Sequence, residues 1–155
     1  ARAATTLVGQ YLGAGQRELA SRCGWVTIRL NLGYTLVAGA VFLLVGSWLF
    51  LPFNRDPAVV AAGVAILPLL ALMQVFDGVQ MTSGAALQGA GDTTFPMAVF
   101  VGSSWLVFVP LALLFAYPMG WGMTGGWTAG VIHFAFTSSI LLGRYAWGGW
   151  KQRTL

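Results

Sequence analysis

The sequence predicts an all-α protein, an integral membrane helix bundle with about four transmembrane helices, on the basis of three observations. Its composition is apolar, since 57% of the residues are hydrophobic and 8% are charged, with a mean hydropathy of +0.77. Soluble domains carry about 25% charged residues, so this composition indicates an integral membrane protein. The other two observations are four long apolar stretches and the short, turn-rich connections between them.

Each apolar stretch is long enough to cross a bilayer, which requires about 20 mainly apolar residues. The stretches cover residues 30–51, 58–87, 97–117 and 126–147. Residues 1–10 are too few to span a bilayer and are interpreted as the end of an earlier helix. Because the connections are short and rich in turn formers, we expect sequential helices to be antiparallel neighbours.

The distribution of Lys and Arg predicts the orientation of the bundle. Six basic residues flank the four spans: Arg17, Arg22, Arg29, Arg144, Lys151 and Arg153. In the loop after the first span Arg55 is balanced by Asp56, and the loop after the third span carries no charge. Because basic residues accumulate on the cytoplasmic side, we expect residues 13–29, the loop at 89–95 and the C-terminus in the cytoplasm.

The start of the chain and its few reactive side chains bear on whether it is a complete protein, an enzyme or a nucleic-acid-binding protein. The sequence begins without Met and without a signal-peptide pattern, so we expect a piece of a longer protein. The single cysteine, Cys23, leaves no intrachain disulfide. The net charge of +4 comes from residues at the ends of apolar segments, so nucleic acid is not an expected partner. The sequence has no nucleophile–base pair, metal-ligand cluster or phosphate loop, so we expect neither an enzyme nor a cofactor.

One carboxylate lies inside an apolar span. The segment QVFDGVQMTSGAALQGAG, residues 74–91, places Asp77 between Gln74 and Gln80. An ionised group at the bilayer centre costs about 2.5–3.5 kcal/mol on insertion scales, and acids in such positions are functional by default. The single histidine, His133, also lies inside a span, where a hydrogen-bonded packing role is favoured over a proton relay.

Helical periodicity groups the polar residues of this segment on one face. At 100° per residue, five side chains share a sector of about 80° and Gln80 lies just beside it. The five are Gln74, Asp77, Met81, Gly84 and Gln88. The opposite side is mostly apolar and holds Val75, Val79, Ser83 and Ala86. Lipid offers no hydrogen-bond partners, so we expect Gln74, Gln80, Met81 and Gly84 to line a cavity beside Asp77.

Two interpretations of Asp77 remain open at this point. In the first it is a structural acid that stays protonated or forms hydrogen bonds across helices. In the second, which is favoured, it binds and releases a proton or a cation as the protein changes shape. The only Lys or Arg within the four spans is Arg144, near the end of the fourth, so the counter-charge would be a proton, a metal cation or a cationic ligand.

Two segments resemble a known family. VGQYLGAGQ, residues 8–16, and DGVQMTSGAALQGAGDTTFP, residues 77–96, are similar to motifs of the multidrug and toxic compound extrusion (MATE) family, in particular its bacterial NorM-like branch. In that family the motifs close the eighth and tenth helices of a twelve-helix transporter. The resemblance implies that residues 1–155 are its C-terminal part, from the end of helix eight through helix twelve. Gln88 departs from the family pattern, in which Arg is commoner.

The resemblance also implies a function. Members are antiporters driven by H⁺ or Na⁺ that export organic, often cationic, compounds by alternating access. The acid in the D-x-x-Q segment takes part in cation coupling, and that position here is Asp77. The expected partners are small organic substrates, the lipid bilayer and the missing N-terminal lobe. The expected location is the cell membrane, the inner membrane of a bacterium, with a cytoplasmic C-terminus.

Two alternative functions remain open. A lipid-linked-precursor flippase of the same superfamily would require a more basic cavity than this segment shows. A non-transporting membrane scaffold subunit would also have four spans, but it would not require an acid at position 77.

Overall fold

A computed structural model describes residues 2–50 and 56–152. The described chain is almost entirely helical, and a π-helical turn and a final 3₁₀ turn complete it. The helices are α1 Arg2–Gly13, α2 Arg17–Phe50, α3 Pro57–Gly89, α4 Thr94–Ser103, α5 Val109–Ala116 and α6 Gly122–Trp147. The π-turn is Ser104–Phe108, between α4 and α5, and the 3₁₀ turn is Gly149–Gln152.

Four helical segments are long and apolar enough to cross a membrane. They are α2, α3, the continuous α4–π-turn–α5 segment and α6. This confirms the predicted all-α membrane bundle. The first of these helices differs from the expected span because it begins at Arg17. Its 34 residues reach about 51 Å, well beyond a hydrocarbon core of about 30 Å, so its basic first turns extend past the membrane.

Helix α3 has a defined start and remains continuous through a proline. Asp56 caps it by accepting a hydrogen bond from the backbone N–H of Ala58 at 2.9 Å, and Pro57 occupies the first turn, where no N–H is required. Pro68 lies within the helix without ending it. After the helix, Gly91 has φ of +77°, a conformation that favours glycine and turns the chain toward α4.

The third span contains the π-turn just before its own proline. The backbone N–H of Val109 bonds to the carbonyl of Ser104, five residues earlier. Pro110 has no N–H, so the α-helical ladder is interrupted at the same place. The wider turn and the proline together form the local irregularity of this span.

Helix α3 lies between α2 and α6. On the α2 side, a Cβ at Gly39 would lie 3.5 Å from Ala71. On the α6 side, a Cβ at Gly130 would lie 3.4 Å from the Met73 sulfur, and one at Gly84 would lie 3.6 Å from Leu141. These two α3–α6 pairs have the same separation in sequence, so the two helices run parallel and in register. Small residues therefore set the close approach on both sides of α3.

The start of α2, the end of α3 and the end of α6 are bound together at one end of the bundle. The Tyr145 hydroxyl donates to the Ser21 carbonyl at 3.1 Å, and the Trp150 indole donates to the Tyr145 carbonyl at 2.9 Å. The Tyr145 and Trp150 rings stack with centroids 5.0 Å apart. Leu87 is fully buried in the same cluster. This end also carries the loop that contains Asp92, and we call it the Asp92 end.

Candidate functional site

Asp77 lies within α3 and is half-buried. Its Oδ1 accepts a hydrogen bond from Gln80 Nε2 at 3.0 Å, one turn further along the helix. Gln80 is only 4% exposed, so the amide is held in place by packing. Among the described residues this amide is the hydrogen-bond partner of the Asp77 carboxylate, and the acid keeps access to solvent or lipid on its other side.

The face of α3 that carries Asp77 is left open by its neighbours. Gly78 faces α2, because a Cβ there would lie 2.6 Å from Asn31 Nδ2 and from Thr35 Cγ2. Gly84 faces α6 and Phe100. The sector between these two contacts is uncovered. It holds Gln74 and Asp77, both half-buried, together with Met81 and Gln88, both exposed.

The structure thus separates the predicted lining residues into two groups. Gln74, Asp77, Met81 and Gln88 share the open face, which we call the polar stripe. Gln80 and Gly84 are buried and lie on the side of the helix nearest α6, and Gly84 also lines a cavity beside the stripe. The opposite side is packed rather than lipid-facing at its Asp92 end, since two residues there are buried: Ser83 and Ala86.

A cavity of about 180 Å³ adjoins the end of the polar stripe nearest Asp92. Met81, Gly84, Ala85 and Gln88 of α3 line it together with Arg2 and Thr5 of α1 and Phe100 of the third span. Sequence patterning missed Arg2 because α1 lies outside the four spans, yet the fold places this guanidinium beside the stripe. The cavity therefore brings a basic side chain beside Met81 and Gln88 of the polar stripe.

The oxygen atoms around Asp77 suit a proton or a hard cation. Gln80 Oε1, on the amide that bonds to Asp77, is buried without a hydrogen-bond partner in the described part of the chain. Hard cations prefer carboxylate, amide and hydroxyl oxygens. In residues 2–50 and 56–152, no cluster of three His, Cys, Asp or Glu side chains is present. The chemistry available is thus one carboxylate with the amide oxygen of Gln80 nearby, and these can hold a proton or a monovalent cation.

His133 lies close to the depth of Asp77 but in a separate contact. By the α3–α6 register, Asp77 is level with Phe134. The His133 ring is 8% exposed, with centroid distances of 5.7 Å to Phe108 and 5.2 Å to Phe134. It also contacts the backbone of Ser103, next to the π-turn. This surrounding of aromatic rings and backbone agrees with a packing role.

An ion pair at the Asp92 end was not foreseen in the sequence. Arg144 Nε donates to Asp92 Oδ2 at 3.1 Å, and the guanidinium lies 4.9 Å from the centre of the Phe95 ring. Asp92 is fully buried, whereas the Arg144 side chain is 33% exposed. The two residues are 52 positions apart. The sequence near each residue showed only an acid in a glycine-rich loop and a basic residue at the end of a helix, and neither pattern indicates the other as a partner.

The chain is similar in sequence to known proteins over almost its whole length. The MatE family profile matches residues 1–114. A probable multidrug resistance protein NorM of Mesorhizobium japonicum is 32% identical over 149 residues, which cover 93% of this chain and 32% of the relative. The probable multidrug resistance protein NorM of Thermotoga maritima is 29% identical over 99% of this chain and 33% of its own length.

A third relative shows the same relation. The probable multidrug resistance protein NorM of Pseudomonas aeruginosa is 35% identical over 81% of this chain and 27% of the relative. The chain thus spans about a third of the length of the curated relatives that it matches. The family match covers more than half of the chain, and the four membrane-length helices show a multi-pass membrane protein. The chain belongs to the MatE family.

Proposed function

We propose that this chain is the C-terminal part of a cation-coupled antiporter that exports organic, often cationic, compounds by alternating access. Its described helices would then be the end of the eighth helix and helices nine to twelve of a twelve-helix transporter. The names of the relatives, multidrug resistance protein NorM, support the class of substrate. The missing N-terminal lobe and the bilayer would be its structural partners, and nucleic acid would not be one.

The observation that carries the proposal is the open polar stripe with Asp77 in it. A half-buried carboxylate on a mostly apolar helix requires either solvent or a second protein surface. The four helices described here cover α3 on the α2 side and the α6 side, and the stripe lies between them. The N-terminal lobe of the full transporter is the surface that would face this stripe across a central cavity.

Asp77 would couple transport through its change in charge. When the stripe opens to water the ionised carboxylate is hydrated, and when it closes the acid must hold a proton or Na⁺ to avoid an unpaired charge. Gln80 fixes the carboxylate through the 3.0 Å hydrogen bond in either state. One charge moved through 100 mV corresponds to about 2.3 kcal/mol, enough for roughly 50-fold accumulation of a neutral substrate.

The remaining features of the proposal follow from this role. The coupling ion is H⁺ or Na⁺, no organic cofactor is required, and Asp77 is a coupling residue of a transporter rather than a catalytic residue of an enzyme. The basic residues of the Asp92 end support a cytoplasmic location for that end and for the C-terminus. The bacterial relatives support an inner-membrane location.

The test is Asp77→Asn in the full-length protein. Asn has nearly the same shape and its oxygen can still accept from Gln80, so we expect normal insertion but a loss of uphill transport. Everted membrane vesicles would be energised with an imposed H⁺ or Na⁺ gradient, and ethidium accumulation would be measured at matched protein levels.

The matched control is Asp56→Asn, the same change on the same helix but outside the stripe. Asn caps helices as well as Asp does, so this variant should transport normally. Near wild-type gradient-driven accumulation by Asp77→Asn would refute the coupling role and return Asp77 to a structural acid.

A further inference from the structure

A second cavity, away from the polar stripe, lies at the Asp92 end between the start of α4 and the end of α6. Its volume is about 430 Å³. Its wall combines one cation, Arg144, with apolar or small residues that include Phe95, Ile140, Gly143 and Trp147. We propose that this cavity binds an anionic phospholipid, with the phosphate at Arg144 and an acyl chain along Gly143 and Ile140.

The guanidinium of Arg144 has donors available for a phosphate. Its Nε is used by Asp92, and its plane lies beside the Phe95 ring. In the part of the chain that the structure describes, its four remaining N–H groups make no hydrogen bond. The ion pair holds the guanidinium at the mouth of the cavity, and its fork geometry matches phosphate oxygens. Arg144 can thus bridge the buried carboxylate and an external phosphate.

The cavity lies on the side of α6 that faces away from α3. On a helical wheel of α6, Gly143 lies about 150° from Gly130 and Leu141, which contact α3. It therefore faces away from α3 and its polar stripe. The same outer surface exposes Ile132 and Phe136. Trp147 is 91% exposed at the end of the helix, where tryptophan side chains anchor at the headgroup level of a bilayer.

The amphipathic lining matches a phospholipid rather than a free anion. The cation lies at the Asp92 end, and the apolar wall runs from it toward the membrane interior along α6. Basic pockets between helices on the cytoplasmic side bind anionic headgroups. This inference uses the proposed cytoplasmic location of the Asp92 end, but it does not depend on Asp77 coupling or on export.

The test compares two lipids with identical acyl chains, phosphatidylglycerol and phosphatidylcholine, on the purified full-length protein by native mass spectrometry. Gly143→Trp places a large side chain in the cavity without removing the ion pair, because a Cβ at Gly143 meets no atom within 4 Å. The matched control is Gly33→Trp, at a second exposed helical glycine with no atom within 4 Å.

We expect wild type and Gly33→Trp to retain phosphatidylglycerol in preference to phosphatidylcholine. Gly143→Trp should lower the apparent affinity for phosphatidylglycerol about tenfold, because the indole occupies the space of the acyl chain and so keeps the phosphate from forming its charged hydrogen bond with Arg144. Equal retention of the two lipids by wild type would overturn the proposal. So would an unchanged preference in Gly143→Trp, or an equal loss in both tryptophan variants.

Discussion

Replacing Gly78 by Ala tests how closely α2 and α3 must approach beside Asp77. A Cβ at position 78 would lie 2.6 Å from Thr35 Cγ2 and 2.6 Å from Asn31 Nδ2. Ordinary van der Waals contact begins at 3.4 Å, so the new methyl group is about 0.8 Å too close to each atom. Asn31 presents the end of a flexible side chain and can rotate away. Thr35 is β-branched and buried, and its hydroxyl donates to the Leu32 carbonyl at 3.1 Å, so its side chain cannot rotate away.

The expected magnitude follows from these contacts. Overpacking of this kind costs about 1–3 kcal/mol. Ala also favours helix by about 1 kcal/mol relative to Gly, which offsets part of that cost. Gly102→Ala isolates the second effect, because a Cβ at Gly102 meets no atom within 4 Å. The difference in unfolding free energy between Gly78→Ala and Gly102→Ala is therefore the overpacking term itself.

The assay is thermal unfolding of the full-length protein in detergent, with ethidium transport measured in parallel. We expect Gly78→Ala to unfold several degrees below Gly102→Ala and to transport less. Adding Thr35→Ser removes Cγ2 but keeps the hydroxyl, so the double variant should recover much of the loss. If Gly78→Ala is as stable as Gly102→Ala, or if Thr35→Ser gives no recovery, the close α2–α3 contact is wrong.

Two further predictions concern the ends of the bundle. In a Cys23→Ala background, Met119→Cys should react with an impermeant thiol reagent added outside intact cells, and Thr93→Cys should not. The two residues lie in exposed loops at opposite ends of the third span. Reversed labelling would overturn the orientation. Asp92→Asn should lower the free energy of unfolding by about 1–2 kcal/mol, since it leaves Arg144 with a neutral partner whose hydrogen bond is weaker. An unchanged melting temperature would show that the ion pair does not contribute to stability.

The helical fold and the face of α3 that carries Asp77 could be predicted from local pattern. Four long apolar stretches require helices in a bilayer because every backbone N–H and C=O must be bonded within the segment. The grouping of Gln74, Asp77, Met81 and Gln88 depends only on 100° per residue, and these four residues share the open face in the structure. Their role in transport stays a prediction.

Other features depended on which helices meet, and the sequence pattern carries no such information. Gln80 and Gly84 were expected to line a cavity; Gln80 is buried, whereas Gly84 approaches Leu141 of α6 and also lines the cavity beside Met81. The partner of α3 on this side is nearly sixty residues further along the chain. The Asp92–Arg144 pair and the placement of Arg2 beside the stripe likewise join distant segments. Periodicity is a property of neighbouring residues and determines which way a side chain points. Close packing of whole helices determines what that side chain meets, and this was decided only by the tertiary structure.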